Sequence, residues 1–292
     1  MPKIIKKAFA KLDLGIHIEP IKSKDGLFPV SYIDCQLDIC DELTLKKKKD
    51  GIEIICDDRD VPTDDKNFVY QAALLLRESS GKKDLGAKIE LKKKIPVKAG
   101  FGGGSSDGAA AVLGLSKLWN ISLSQNQLSQ FSKKLGKDFY FSLSGGLSKI
   151  TSVGRDYQIQ PLSSDMLFWV VVVEPLDEKP STGWIYEHLN LKLVGSNLDR
   201  LNKLEQALLK GDRNDFVANL WNDFEDSVSA YFPVVSKAKQ DLADLGASGK
   251  IMAGAGLSVV GFFDSIKSAE SASKILRKNP NYKEVLVSKT IF

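Results

Sequence analysis

Residues 96–111 read Pro96-Val97-Lys98-Ala99-Gly100-Phe101-Gly102-Gly103-Gly104-Ser105-Ser106-Asp107-Gly108-Ala109-Ala110-Ala111, a glycine and serine run that passes straight into a helix-forming alanine segment. Gly100, Gly102, Gly103 and Gly104 carry no Cβ, so the backbone there is free to turn left-handed and bring its N–H groups close to a bulky polyanion. Ser105, Ser106 and Asp107 follow where a helix would begin. The unpaired amides of a first turn, with the positive end of the helix dipole, favour phosphate oxygens. Tight turns and linkers are glycine-rich as well. A linker, however, is not followed at once by Gly108 to Trp119, whose apolar residues recur at helical spacing. No lysine follows the glycines as a P-loop requires, and the run does not follow the first strand of a βαβ unit as the dinucleotide fingerprint requires. It reads as a phosphate cradle of a third kind.

Two further segments stand at either end of the chain. Ala8-Phe9-Ala10-Lys11-Leu12-Asp13-Leu14-Gly15-Ile16-His17-Ile18 alternates like a half-buried strand from Lys11 onward, with Lys11 and Asp13 on one face. Met252-Ala253-Gly254-Ala255-Gly256-Leu257-Ser258 is a small glycine turn running into the apolar stretch Val259 to Phe263. With the central cradle, these resemble the three motifs of the GHMP kinase superfamily, named for galactokinase, homoserine kinase, mevalonate kinase and phosphomevalonate kinase. Within it the chain is most similar to the 4-diphosphocytidyl-2-C-methyl-D-erythritol kinase family. That family opens with Pro-Ala-Lys-Ile-Asn-Leu, which Phe9 to Leu14 follows with aspartate for asparagine. Its cradle reads Pro-x-x-Ala-Gly-Leu-Gly-Gly-Gly-Ser-Ser-Asp/Asn-Ala-Ala, nearly reproduced by Pro96 to Ala110. Gly136-Lys137-Asp138-Phe139-Tyr140-Phe141 stands where the family has Gly-Ala-Asp-Val-Pro-Phe, and Asp65 to Ala73 resembles its Asp-Asn-Leu-x-x-Arg-Ala-Ala helix.

The resemblance implies an ATP-dependent kinase that phosphorylates a small-molecule alcohol, with Mg²⁺ as the metal and 4-diphosphocytidyl-2-C-methyl-D-erythritol, converted to its 2-phosphate for non-mevalonate isoprenoid synthesis, as the leading acceptor. Phosphoryl transfer asks the protein mainly to position groups and neutralise charge. Asp138 is the candidate general base, since a carboxylate beside the acceptor hydroxyl accepts its proton in the transition state. Lys11 is the candidate lysine that keeps this carboxylate ionised and stabilises the transferring group. An Asp-Lys pair elsewhere is commonly a surface ion pair; the alignment with two family motifs distinguishes this one. The run Pro96, Val97, Lys98, Ala99, Gly100, Phe101, Gly102, Gly103, Gly104, Ser105 and Ser106 is the candidate ATP site, with Asn67 and Lys93 beside it. Either Ser105 or Ser106 is a candidate Mg²⁺ ligand, because Mg²⁺ keeps several waters and recruits few protein groups; N-capping is the alternative role of both. Asp107 is equally a first-turn acid that stabilises the helix.

Asp13, Phe28 and Thr182 are the candidate substrate contacts. The family carries Asp-Gly-Tyr-His after its first strand, the tyrosine stacking on cytosine and the histidine bonding its edge, whereas this chain has Asp25-Gly26-Leu27-Phe28. Phe28 stacks but offers neither donor nor acceptor. Asp13 replaces an amide with a group that only accepts when ionised, and Ala253 and Ala255 replace hydroxyl residues of the family's Ser-Gly-Ser-Gly turn. The rival readings are another GHMP-type kinase or related decarboxylase acting on a smaller substrate, and a nucleotide-binding homologue that no longer catalyses.

The chain has 292 residues, 41 Lys+Arg against 37 Asp+Glu, and a net charge of +4, which does not demand a nucleic-acid partner. Lysine clusters at 46–49 and 92–94 read as solvated hairpin ends. No apolar core of signal-peptide length follows the basic first residues, and the longest apolar run, Met166 to Val173, is too short for a bilayer, so a cytoplasmic protein with no membrane partner is expected, as a monomer or weak homodimer. Cys35, Cys40 and Cys56 form no CxxC pair and read as buried thiols. His17 reads as structural.

Strands are expected at Ile52–Ile55, Ala87–Leu91 and Ser142–Thr151, and helices at Phe68–Arg77, Gly108–Trp119 and Gln125–Leu135. After a loop-like stretch at Pro161–Asp165, helices are expected at Asn197–Lys210, Arg213–Leu220, Val234–Leu245 and Ile266–Arg277, with a last strand at Glu284–Val287. The expected architecture is α+β in two lobes, divided into residues 1–164 and 165–292. As the resemblance implies, this is a GHMP kinase fold, with an N-terminal lobe like ribosomal protein S5 domain 2, a ferredoxin-like C-terminal lobe, and ATP in the cleft between them.

Overall fold

A computed structural model describes residues 3–82 and 84–292. Two compact units, each discontinuous in sequence, share the chain: one holds the chain through Lys11, Ile39–Lys98 and Gly102–Gly145, the other Leu12–Asp38, Ala99–Phe101 and Gly146–Phe292. Discontinuity follows from two long strands, β1 (Lys3–Ile18) and β2 (Val30–Lys48), each of which gives residues to both units.

In the first unit, β3 (Ile52–Cys56), α1 (Phe68–Ser79) and β4 (Gly86–Lys92) form a crossover in which β3 and β4 pair in parallel, so a helix must return the chain. The C-terminal half of β2 pairs antiparallel with β4, Glu42 facing Lys92 and Lys48 facing Gly86. Three helices follow: α2 (Gly103–Trp119), α3 (Gln125–Leu135) and α4 (Lys137–Ser144). The core lies between this sheet and the helices, with Leu43, Leu45, Ile89 and Leu91 meeting Val69, Ala72, Val112 and Leu115. Ala109, Ala110 and Ala111 are buried; small side chains let α2 lie close to its neighbours while burying a face that larger residues would hold apart. In the lysine cluster at 46–49, Lys46 pairs with Glu90 and Lys48 with Glu53 at the sheet rim, at 2.7 Å each. In the cluster at 92–94, Lys93 is instead nearly buried between Asp41 and Asp107, so that cluster is not simply a solvated hairpin end.

The second unit contains β5 (Leu147–Val153), β6 (Asp156–Leu162), β7 (Trp169–Pro175), α5 (Thr182–Glu187), α6 (Leu198–Lys210), α7 (Arg213–Asn219), β8 (Trp221–Asn222), α8 (Glu225–Tyr231), α9 (Val234–Asp244), β9 (Gly249–Met252), β10 (Val259–Phe263), α10 (Ile266–Leu276) and β11 (Tyr282–Ile291). Residue 164, the expected lobe boundary, falls inside this unit between β6 and β7. Strands β7, β9, β10 and β11 pair antiparallel in the order β11-β7-β10-β9, with α9 and α10 packed on them. In chain order that is 4-1-3-2, the ferredoxin-like arrangement. β8 pairs in parallel with β1, Gly15 facing Trp221 and Ile16 facing Asn222.

Three local expectations need correction. β1 is buried on both faces from Ala10 to Ile18, so its alternation does not mark a solvent face. α2 begins at Gly103, five residues before the expected start at Gly108. Residues 142–144, expected as strand, end α4, and β5 starts only at Leu147. Gly136 opens α4 at φ +94°, and Gly145 and Gly146 stop it at φ +67° and +71°, conformations that glycine adopts readily.

Candidate active site

The cradle belongs to two structural contexts. In the first unit, Gly102 sits at φ +64° as the residue before α2, and Ser106 N–H donates to its carbonyl at 2.9 Å, closing the first helical turn. The amides of Gly103, Gly104 and Ser105 therefore have no intrahelical acceptor and lie at the positive end of a 17-residue helix. Gly104 is exposed, with Gly103 and Ser105 half-buried. Ser106 is buried, and its hydroxyl donates to the Phe9 carbonyl at 2.8 Å, which commits its proton to β1. Of the two serines, Ser105 is the accessible one.

Lys11 and Asp138 come together in the same unit. Lys11 Nζ lies 3.9 Å from Asp138 Oδ1, Lys11 being nearly buried and Asp138 partly open. A Cβ on Gly102 would stand 2.8 Å from Lys11 Cγ and 3.6 Å from Asp138 Cβ. The residue before α2 thus stands beside both charged residues, with no room for a side chain against Lys11. Asp138 is in the first turn of α4, where the dipole favours an acid. Lys137, which sequence reading left without a role, stands closer than Lys11, with its Nζ 2.7 Å from Asp138 Oδ1.

Lys93 and Asn67 are occupied by the protein. The Lys93 ammonium donates to Asp41 Oδ2 and, at 2.8 Å, to Asp107 Oδ2. Asp41 Oδ1 accepts from the Lys94 and Ile95 amides. Burial pushes the Asp107 carboxyl up to about 8, opposed by Lys93 and reinforced by Asp41. Burial works against the Lys93 ammonium, but the two carboxylates outweigh it and raise its pKa. Asn67 caps α1, accepting from Val69 N–H at 2.7 Å and donating to the Pro62 carbonyl at 2.6 Å. Pro96 is buried, Val97 half-buried, and Lys98 exposed in a left-handed turn at φ +60°.

In the second unit, Ala99, Gly100 and Phe101 lie against the C-terminal glycine turn. A Cβ on Gly100, at φ +100°, would stand 2.1 Å from the Ala253 carbonyl oxygen, and one on Gly256 would stand 2.4 Å from that of Ala99. Buried Asn222 donates to the Met252 and Gly254 carbonyls at 2.9 and 2.7 Å, fixing that turn. Lys179 donates to the Ala255 carbonyl and lies 3.4 Å from the hydroxyl of Thr182, the first residue of α5. Asp13 is fully buried in β1. Phe28 faces Tyr186 with ring centroids 6.3 Å apart and planes 11° from parallel, and Lys22 Nζ lies 5.0 Å from the Phe28 centroid. His17 is buried with Nε2 3.0 Å from Glu19 Oε1.

A model of the GHMP kinases N terminal domain matches residues 67–152. A 4-diphosphocytidyl-2-C-methyl-D-erythritol kinase from Chlorobium phaeobacteroides (strain BS1) is 35% identical over 280 residues, covering 96% of each chain. One of the same name from Bacillus cereus (strain AH187) is 36% identical over 260 residues, covering 89% of this chain and 88% of the relative. The chain belongs to the 4-diphosphocytidyl-2-C-methyl-D-erythritol kinase family of GHMP kinases. A solved structure of 4-(cytidine 5'-diphospho)-2C-methyl-D-erythritol kinase superposes with TM-score 0.83 at 26% identity, covering 99% of this chain and all of that one. Homoserine kinase from Cytophaga hutchinsonii ATCC 33406 shares the fold, with TM-score 0.80 at 21% identity.

Sequence reading missed four residues: Lys137 and Asp41, beside candidate residues of the first unit, and Tyr186 and Asn222, beside Phe28 and the C-terminal glycine turn of the second. Lys137 is adjacent in sequence to Asp138, and that adjacency was its only signal. Asp41, Tyr186 and Asn222 are far along the chain from the residues they touch, and only folding reveals them.

Proposed function

We propose that the chain transfers the γ-phosphoryl group of ATP to a hydroxyl of 4-diphosphocytidyl-2-C-methyl-D-erythritol, giving the 2-phosphate and ADP. The observation that carries this reading is the junction of Gly102, Lys11 and Asp138: the residue opening the amide-lined helix touches a lysine whose ammonium lies 3.9 Å from a carboxylate. The names of relatives aligned along most of the chain support the same acceptor.

Asp138 accepts the proton of the acceptor hydroxyl as its oxygen attacks phosphorus; the new O–P bond forms while the bond from phosphorus to the β,γ-bridging oxygen breaks and ADP departs with that electron pair. The amides of Gly103, Gly104 and Ser105 hold phosphate oxygens. Lys11 meets charge developing on the transferring group, and Lys137 with Lys11 orients the Asp138 carboxylate. Ser105 suits Mg²⁺, being a half-buried hydroxyl in the amide-lined turn, and the ion supplies further neutralisation of phosphate charge when bound. Phe28 and Tyr186 offer two nearly parallel aromatic faces for the cytosine, with Lys22 adding positive charge. We place this reaction in the cytoplasm, on a monomer or weak homodimer, without a nucleic-acid or membrane partner. The pairing of Lys46 and Lys48 with glutamates supports that placement, and among the described residues no helix is long and apolar enough to cross a membrane.

Asp138→Asn tests the base. Loss of a general base costs about 10²–10⁴ in kcat, so the variant is expected to bind ATP with wild-type affinity while kcat falls by that factor. Turnover equal to the wild type would remove Asp138 from the role.

A further inference from the structure

Lys93, with Asp41 and Asp107, forms a buried charge cluster within the first unit that the phosphoryl-transfer chemistry does not use. The lysine ends one side chain away from the cradle: a Cβ on Gly103 would stand 3.4 Å from Lys93 Nζ and 3.1 Å from Ile95 Cγ2. Its ammonium is nonetheless turned inward, onto carboxylates that are themselves buried. Asp41 spends one oxygen on that ammonium and the other on the Lys94 and Ile95 amides, which tethers the segment leading into the cradle. Asp107 is in the opening turns of α2, two residues beyond Ser105. The chain of contacts therefore runs from the entry segment through Asp41 and Lys93 to the helix whose free amides face outward.

We propose that Lys93 is a positioning residue for the phosphate cradle rather than a ligand of the nucleotide: bridging Asp41 and Asp107, it fixes the first turn of α2 against residues 93–95. This rests on the ATP-binding reading given above. Asp107 Oδ2 needs only to accept from Lys93, while its Oδ1 has no hydrogen-bond partner. An asparagine at 107 retains one acceptor oxygen for the Lys93 ammonium and, like the carboxyl that burial pushes up to about 8, carries no charge at neutral pH.

The test compares Lys93→Met, Asp107→Ala, Asp107→Asn and the double variant Lys93→Met/Asp107→Ala, each checked for folding by circular dichroism. Two measurements are made: amide hydrogen exchange across residues 102–108 without nucleotide, and ADP affinity by calorimetry. Lys93→Met and Asp107→Ala are expected to speed exchange across 102–108 while leaving α3 unchanged, and each to weaken ADP binding about tenfold. The double variant is expected to bind no worse than either single one, because contacting residues that act as one unit are not additive. Asp107→Asn is expected to stay within about twofold of the wild type in both measurements. Additive losses in the double variant, or weakened ADP binding by Lys93→Met with wild-type exchange, would overturn the proposal and make Lys93 a nucleotide ligand. Should Lys93→Met fail to fold, Lys93→Met/Asp107→Asn, which also removes the ionisable carboxyl at 107, takes its place under the same criteria. Failure of the wild type itself to bind ADP would sink the ATP reading, while the exchange pattern would still decide whether the bridge holds the helix.

Discussion

At the scale of single residues, the glycines separate two requirements that look alike in sequence. Gly102 needs a left-handed backbone and also room, since a methyl group there would press on the Lys11 stem. Gly102→Ala is expected to cost about 1–2 kcal/mol in stability from the left-handed backbone and to lower kcat at least tenfold by displacing Lys11; wild-type kcat in a steady-state assay would show that Lys11 tolerates the shift. Gly100→Ala sets a side-chain atom against the Ala253 backbone carbonyl, which has no rotamer with which to yield. Its expected signature is a lower Tm accompanied by weaker nucleotide binding, read by thermal melting with and without ADP. These glycines were legible in the sequence because no other residue supplies positive φ and a missing Cβ together. The fate of Lys93 was not legible. A lysine beside a glycine run reads as a phosphate ligand, and the carboxylate that claims it lies 52 residues earlier in the chain.

At the scale of elements, local chemistry told most where it closed on itself. α3 has the expected bounds because Ser124 and Gln127 form a capping box within four residues. α4 escaped because Phe139-Tyr140-Phe141 favours a strand by composition, and the decision belongs to the glycines on either side. α9 shows how distant charges pin an element. Asp241, in its last turn, accepts from the Tyr282 hydroxyl of β11 and pairs with Lys237 one turn earlier. Burial raises the Asp241 carboxyl, but Lys237, Tyr282 and Asn279 together outweigh it and hold the group below its ordinary value. A carboxyl depressed by folding contributes stability that is present above its unfolded pKa of about 3.9 and is lost as pH falls through the folded value. Denaturant melts of the wild type and Asp241→Asn should therefore converge below about pH 4, with the wild type the more stable at neutral pH. Parallel curves would show that the charge on Asp241 is not linked to folding.

At the scale of the whole molecule, pairing between distant strands was the least legible property, because the order β11-β7-β10-β9 depends on contacts that no local window contains. Family motifs bridged that gap for the fold, yet they left the acceptor side open, since Leu27 and Phe28 stand where the family has tyrosine and histidine. The structure adds Tyr186, whose ring runs nearly parallel to Phe28. If these two faces hold a cytosine, CDP binds the folded protein and raises its Tm. A ligand at 100 times its Kd adds about 2.7 kcal/mol, enough to move a melt by several degrees. CDP carries a diphosphate that the ATP site also accepts, so the melt is run with saturating ADP present, and with Phe28→Ala and Tyr186→Ala alongside. The wild type should gain further stability from CDP over ADP, and both variants should lose that increment while keeping the shift caused by ADP. No increment at millimolar CDP in the wild type would exclude a cytidine pocket and leave a smaller alcohol as the acceptor, with the phosphate cradle and Asp138 untouched. The donor and acceptor halves of the assignment thus stand or fall separately, as they must when the cradle matches the family's motif nearly residue for residue and the base-recognition motif does not.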